Sequence, residues 1–520
     1  MNAHSGTAPA YGGVLALAAS GLTVGGLFAA EAGRGPQRPA LQHEGRVLSY
    51  GALNARVNRL AAALAAHDCV RGDRVAIFAE NRPEYVELQL AAAKLGLIVA
   101  CQNWRLAQEE LEHCLSLVAP RLTFVSERHA AMLQGLNCDP GKVLVFGEAY
   151  ERLLDAHLDH EPPADVAAPE DGLVILYTSG TTGLPKGAVI SQRAMIARSL
   201  IGQIDSTFIP GATFIAWAPM FHMVSTDNML ATLMTGGKVV VIDGFQPDAI
   251  VAAAAGEDIG WLQVMPGTVE QMLSELKTTG LRPARLGSVG CMADLVPRQQ
   301  IAELTDLLQA PYINSFGSTE TGSPPASRNL LPPGHAPARL PKLQNSLCRI
   351  RLVDPDDRDV ADGEPGELAF RGPTLFSGYW RVPEEKDFHG GWFHMGDVFV
   401  RNPDGGLEFV DRRKYLIKSG GENIYPAEIE RVLLASPRIA EAVVVRQADA
   451  RWGEVPVAFV VANDQTLTGE EVIAMCRGKI AGYKLPKRVR FVSDAELPRS
   501  TTGKIKRHEL EDVLRAEATG

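Results

Sequence analysis

Between Tyr177 and Gln192 the chain reads YTSGTTGLPKGAVISQ, a run made of the residue types that hold an anion. Thr178, Ser179, Thr181 and Thr182 supply short hydroxyls, Gly180, Gly183 and Gly187 supply bare backbone, and Lys186 supplies one positive charge. Such a loop turns N–H and O–H donors toward a phosphate, and glycine permits close approach and positive φ. The spacing G-x-x-x-x-G-K-[ST] of P-loop NTPases is absent, because Lys186 follows Pro185 and precedes Gly187. The plain alternative is a hydroxyl-rich surface loop.

Four further stretches carry candidate chemistry. In FGSTETG, Phe316–Gly322, Glu320 stands among small hydroxyl residues at the end of a strand-like run, where a carboxylate suits a magnesium-bound phosphate. In GWFHMGD, Gly391–Asp397, an aromatic run ends on Asp397, an acid placed to bind a ribose diol. DRRKYLIKSGGENIYPAEIE, Asp411–Glu430, combines a charged knot with a Ser-Gly-Gly turn, and PRSTTGKIKR, Pro498–Arg507, sets Lys504 on a glycine-containing turn. Taken singly, these read as a polar turn, a turn aspartate, a hairpin and a solvated cation.

Taken in order, the five motifs resemble the adenylate-forming superfamily of acyl- and aryl-CoA synthetases, adenylation domains and luciferases, over about residues 22 to 517. The resemblance implies ATP, Mg²⁺ and coenzyme A as cofactors or co-substrates. It places Thr178, Ser179, Gly180, Thr181, Thr182, Gly183 and Lys186 on the phosphates, with Glu320 and Thr182 on the metal. It sets Phe316 and Gly317 near adenine, Ser318 and Thr319 on AMP, Asp397 on the ribose and Arg412 on ribose or phosphate. Met395 stands where the family usually has threonine. Lys414 becomes a hinge, Gly420 and Gly421 border a pantetheine tunnel, and Lys504 bridges substrate carboxylate and α-phosphate.

The same resemblance separates branches. His222, in PMFHMVS, matches the residue that lines and gates the carboxylate pocket of acyl- and aryl-CoA ligases, although a lone histidine is more often structural. Amino-acid adenylation domains carry an aspartate hereabouts, whereas here Asp227 lies further on. Met223, Val224, Gly290, Cys291 and Met292 complete an apolar or small-residue pocket suited to an uncharged hydrophobic acid. Cys291 reads as lining; nucleophilic catalysis lacks a visible base partner. ARWGE resembles an aryl-CoA ligase segment in which Trp452 meets the CoA nucleotide, with Lys484 and Lys487 on its phosphates, against a reading as packing and surface residues.

The elements that must position these residues follow from periodicity. Helical spacing at Leu53, Val57, Leu60 and Leu64 precedes the strand RVAIFA; Arg82–Leu95, LIVAC, Glu109–Leu117 and Leu122–Val125 repeat the alternation. After the proline- and acid-rich passage His160–Asp171 it resumes through FIAWAP, VVVI, WLQVMP, LGSVG and YINSFG. The expected fold is α/β: two α/β subdomains and, from Arg349, a small antiparallel β-barrel-like unit, then a small mobile α+β domain with helices at Ala427–Ala435 and Glu470–Ala481. The expected domains are residues 1–412 and 413–520.

At 520 residues the chain exceeds one core, and 46% hydrophobic with 22% charged residues is ordinary globular composition. A net charge of −10 argues against nucleic acid as a partner. Seven scattered cysteines without C-x-x-C suggest neither a disulfide framework nor zinc, and fit a reducing cytoplasm. Val14–Ala30 is apolar but interrupted and lacks a basic start, so residues 1 to about 20 read as a loose leader, the first helix as Leu22–Ala32, and no stable membrane association is expected.

The expected activity is ATP-dependent ligation of an aromatic, alicyclic, fatty or polycyclic acid to CoA through an acyl-AMP. The partners are therefore a small carboxylic acid and CoA, with a homodimer left open. The alternatives are transfer of the adenylated acid to a carrier protein, its oxidation, and a non-catalytic nucleotide-binding scaffold.

Overall fold

The computed structural model describes residues 21–519 apart from 165, 179–183, 207–208, 266, 384–386, 420–421 and 500–504. Two compact units emerge, one of residues 1–349 with 371–386 and one of 350–370 with 387–520.

The first unit is built on a six-stranded and an eight-stranded sheet. In the six-stranded sheet the order is Lys142–Val145, Leu122–Val125, Arg74–Phe78, Ile98–Cys101, Gly172–Thr178 and Lys186–Ser191. Every pair is parallel except the last. These strands read as unbroken apolar runs because helices such as Pro83–Leu95 and Gln108–Val118 bury them from both sides. The helix Pro83–Leu95 starts with proline at its first turn and stops at Gly96 in the left-handed region, φ 66°.

The eight-stranded sheet has a parallel centre that places Thr213–Ala216 between Asp258–Leu262 and Lys238–Val241. The start of the chain adds to this sheet: Pro39–His43 pairs in parallel with Lys238–Val241, Leu41 opposite Val239, and Arg46–Ser49 forms the sheet edge beyond it. The first helix is Val24–Arg34, two residues later than expected at each end, because Thr23 caps it by accepting the Gly26 N–H.

Asn81, at the end of the Arg74–Phe78 run, joins the two sheets. Its amide donates to the carbonyls of Ala216, Trp217, Ala218 and Ile242 at 2.8–3.3 Å and accepts the Met220 N–H at 2.9 Å. The strand ends that feed the candidate acid-binding residues are thereby pinned to the first sheet.

In the second unit a five-stranded antiparallel sheet contains Pro365–Arg371, Trp392–Arg401 and Leu407–Arg412. A further sheet orders Glu422–Ile424, Ile417–Ser419, Gly453–Ala462 and Ile439–Asp449, with Arg488–Phe491 parallel to Gly453–Ala462. The helix expected over Glu470–Ala481 ends at Cys476, because Gly478 turns the chain at φ 74° and Arg477 bridges Ile480. Its start is fixed by a capping box between Thr468 and Glu471. Among the described residues no helix is long and apolar enough to cross a membrane.

Removing the Asn81 amide strands several buried carbonyls and one N–H. Asn81→Ala is therefore expected to lower the thermal midpoint by about 5 °C or more in a calorimetric scan. A midpoint unchanged to within about 1 °C would deny Asn81 its joining role.

Candidate active site

The loop that opened the sequence reading joins two paired strands. Gly172–Thr178 and Lys186–Ser191 run antiparallel, with Thr178 opposite Lys186, so the two residues flank the loop. Ser179, Gly180, Thr181, Thr182 and Gly183 lie outside the described residues. The segment 376–380 lies along the hairpin: Trp380 N–H donates to Gly187 O at 2.8 Å, Val189 N–H to Gly378 O at 3.0 Å, and Ser377 N–H to Val189 O at 2.8 Å. A Cβ on Gly187 would stand 2.8 Å from Ile175 Cγ2, so this position admits little but glycine.

That added segment supplies Tyr379, a residue the sequence reading did not single out. Its ring centroid lies 4.5 Å from Lys186 Nζ, and its hydroxyl donates to Glu320 Oε1 at 2.6 Å. Lys186 and Glu320, far apart in sequence, thus lean on one phenol. The Phe376 N–H holds Glu320 from the backbone side, donating to its carbonyl at 2.8 Å. Glu320 is buried, at 8% exposure, and sits in the turn between Gly317–Ser318 and Gly322–Pro325. Phe316 N–H donates to Ser327 Oγ at 2.9 Å, and Ser318 N–H to Thr321 Oγ1 at 3.1 Å.

Arg198, also absent from the sequence reading, anchors this turn. Its guanidinium donates to the Thr319 carbonyl at 3.0 Å, to the Thr374 carbonyl at 3.1 Å, and to Asp227 at 3.1 and 3.3 Å. Both charges are buried. Burial raises the Asp227 carboxyl above its ordinary range, and the adjacent guanidinium opposes that shift. Gly322, at φ 74°, packs so closely that a Cβ there would meet Arg198 Cδ at 2.6 Å.

The acid-side candidates gather at the carboxyl ends of parallel strands, the usual ligand edge of such sheets. His222 caps the helix Met223–Met234, its Nδ1 accepting the Val224 N–H at 3.4 Å, and Met223 and Val224 are buried. Gly290, at φ 102°, leaves room for the Tyr312 ring, whose hydroxyl donates to Cys291 O at 2.7 Å. Cys291 Sγ lies 3.4 Å from Ser315 Oγ, which also accepts the Met292 N–H at 3.0 Å. A serine hydroxyl beside the thiol is no general base, in keeping with a lining role.

In the second unit, Asp397 and Arg412 stand opposite each other on neighbouring strands and pair at 3.0 Å. Asp397 is buried and the Arg412 side chain is 41% exposed. Asp411 accepts the N–H groups of Arg412 and Ala427 at 2.6 and 2.8 Å, and burial raises its carboxyl. Lys414 lies in the short turn Arg413–Tyr415, its Nζ 5.0 Å from the Tyr415 centroid. Gly420 and Gly421, between the hairpin strands Ile417–Ser419 and Glu422–Ile424, and Lys504 lie outside the described residues.

Trp452 is exposed, with the Arg451 guanidinium 4.7 Å from its ring centroid. Lys484 differs from a free surface cation: its ammonium pairs with Glu428 at 2.7 Å. Lys487 donates its backbone N–H to Pro456 O at 2.9 Å.

A hard cation suits Glu320, whose carboxylate is oriented by a hydroxyl donor next to the hairpin. Among the described residues no group of three or more His, Cys, Asp or Glu is arranged to hold a metal.

The chain resembles known proteins over most of its length. Residues 28–380 match the family model described as AMP-binding enzyme, and residues 428–504 match that of the AMP-binding enzyme C-terminal domain. The chain is 34% identical over 498 residues to an indoleacetate–CoA ligase of Aromatoleum aromaticum, covering 93% of this chain and 96% of that one. It is 31% identical over 495 residues to a fatty acid–[acyl-carrier-protein] ligase of Streptomyces coeruleorubidus, covering 92% and 93%. Among solved structures, an o-succinylbenzoate coenzyme A synthetase from Bacillus subtilis, in complex with ATP and magnesium ion, superposes with a TM-score of 0.82 at 25% identity, covering 94% and 99%.

Breaking one side of the buried pair leaves an uncompensated charge, so Arg198→Met is expected to cost about 3–5 kcal/mol in urea unfolding. Arg198→Met with Asp227→Leu should recover part of that loss. A single-variant cost below about 1 kcal/mol would contradict the anchoring role.

Proposed function

We infer that this chain, which belongs to the AMP-binding enzyme family, is an AMP-forming carboxylic acid–CoA ligase. The observation that carries the reading is the meeting of Lys186 and Glu320 on Tyr379, beside a hydroxyl- and glycine-rich loop. One fixed cation and one fixed carboxylate at such a loop match what a triphosphate and its metal require.

In the first step the substrate carboxylate oxygen attacks the α-phosphorus of ATP, the bond to the bridging oxygen breaks, and pyrophosphate leaves. Thr178 to Lys186 hold the phosphates, with Thr182 and Glu320 on the metal. Magnesium, when bound with ATP, neutralises phosphate charge. Tyr379 keeps the Glu320 carboxylate turned toward that site, and Arg198 keeps its backbone from moving. Phe316, Gly317, Ser318 and Thr319 border the adenosine, Asp397 takes the ribose, and Arg412 takes ribose or phosphate. Lys504 brings positive charge to the crowded carboxylate and α-phosphate.

In the second step the CoA thiolate attacks the acyl carbonyl and AMP departs. Residues 413–520 act as a mobile domain that turns about Lys414 between the steps. Gly420 and Gly421 line the pantetheine passage, while Trp452, Lys484 and Lys487 receive the nucleotide end. For Lys484 that means exchanging Glu428 for a phosphate.

The acid is uncharged apart from its carboxylate. His222, Met223, Val224, Gly290, Cys291 and Met292 border it; Asp227, on the helix that His222 caps, is committed to Arg198, and Asp294, two residues past Met292, to Lys342, rather than to a substrate ammonium. Seven free cysteines, six of them buried, suit a reducing cytoplasm. A carrier-protein acceptor is the second reading, favoured by the Streptomyces relative that the chain matches over 92% of its length.

The deciding experiment supplies ATP, Mg²⁺ and CoA with a panel of aromatic, alicyclic, fatty and terpenoid acids, products being read by mass spectrometry. AMP with a CoA thioester is expected; acyl-AMP without thioester across the panel would favour the carrier protein instead. Lys504→Ala should nearly abolish acyl-AMP formation yet spare thioester formation from supplied acyl-AMP, and equal loss of both would refute its role. Gly421→Leu should do the reverse; unchanged thioesterification would undo the tunnel assignment. For Tyr379→Phe, loss of one charge-assisted hydrogen bond predicts about a tenfold fall in kcat/KM for ATP, and an unchanged value would detach Tyr379 from the site.

A further inference from the structure

The side chain of Gln263 is 2% exposed, yet its Oε1 has no hydrogen-bond partner among the described residues. Its amide N–H faces a thioether, Met265 Sδ, at 3.3 Å, a weak acceptor that nevertheless orients the amide with the carbonyl oxygen away from it. A buried amide oxygen left in this state calls for a cause, since such groups are almost always satisfied.

Its position supplies one. Gln263 directly follows the strand Asp258–Leu262, whose neighbours are Thr213–Ala216 and Arg285–Val289. The first neighbour leads to His222–Val224 and the second to Gly290–Met292, so Gln263 lies between the two segments assigned to the acid. Leu262 and Val264 both enter the apolar cluster around Trp217, Val289 and Tyr312. Alternation turns Trp261 and Gln263 to the opposite side, where the Trp261 ring stacks on Phe214 with centroids 6.3 Å apart. The backbone is held there by Trp217 Nε1–H donating to Gln263 O at 3.1 Å.

We propose that Gln263 Oε1 is the specificity contact of the acid site, and that it accepts a hydrogen bond from a hydroxyl or N–H carried on the substrate's hydrophobic body. An ionised carboxylate is an acceptor, so the donor must stand elsewhere on the acid. The substrate class is therefore hydroxylated or N–H-bearing hydrophobic acids rather than plain hydrocarbon acids. This deepens the ligase reading and rests on it. A site with a buried polar group waiting for its partner discriminates against the analogue that lacks the donor, because that analogue leaves the group unpaired.

The test uses the full-length enzyme with ATP, Mg²⁺ and CoA on matched acids in three skeletons. These are 4-hydroxybenzoate, 3-(4-hydroxyphenyl)propanoate and 12-hydroxydodecanoate, each beside its O-methylated and unsubstituted counterparts. In at least one skeleton, wild-type kcat/KM should favour the hydroxy acid by about tenfold or more over both counterparts. Gln263→Leu should bring that ratio to within about threefold, by losing the hydroxy acid while keeping the unsubstituted one. The proposal is overturned if wild type treats the members of each skeleton alike, which would leave the amide oxygen to a bound water, or if the preference survives in Gln263→Leu. The wild-type ratios stand whether or not the variant folds. Thioester formation from unsubstituted acids would uphold the ligase reading while this inference fails, whereas no AMP from any acid would bring down both.

Discussion

The guanidinium of Arg198 is the constraint on which the candidate site depends. A buried cation is tolerated when its donors are matched by well-placed acceptors, and here two backbone carbonyls and the Asp227 carboxylate supply them. The carbonyls belong to Thr319, one residue before Glu320, and to Thr374, two residues before the segment that carries Tyr379. Three separate stretches of chain thus converge on one charge carried by a fourth. A displaced helix Gln192–Asp205 would withdraw the support from both members of the Glu320–Tyr379 pair at once. Gly322 answers the same constraint, because any side chain there would occupy the space of the arginine stem.

With that frame in place, Tyr379 accommodates charges of both signs. Its hydroxyl proton goes to the Glu320 carboxylate and its ring faces the Lys186 ammonium. A phenol does both because its polar tip and its π face point in different directions. In a chain whose net charge is −10, a triphosphate must be met by such local placement rather than by the overall field.

Much of this was legible in the residues. Apolar runs located the strands, since strands buried on both faces leave no polar alternation to blur them, and the five motifs led to Lys186, Glu320, Asp397 and Arg412. What escaped notice was set by contacts distant in sequence. The pairing of Pro39–His43 with Lys238–Val241, some two hundred residues later, leaves no local mark. Tyr379 lies in a turn-rich region and gains its role from lying along Gly187–Val189. Arg198 looks like one polar position in an amphipathic helix until Asp227 is seen beside it. Lys484 was legible as a basic residue, whereas its pairing with Glu428 was not. Gln263, inside the strand-like run WLQVMP, gave no local sign that its amide oxygen would be left without a partner.

The central claim is that the substrate carboxylate itself attacks the α-phosphorus. The most direct measurement follows both oxygens of an ¹⁸O-labelled acid through one turnover with ATP and CoA. The account predicts that one labelled oxygen leaves in AMP and the other stays in the thioester carbonyl, with pyrophosphate unlabelled. Label appearing in pyrophosphate or inorganic phosphate, or AMP released without label, would contradict it.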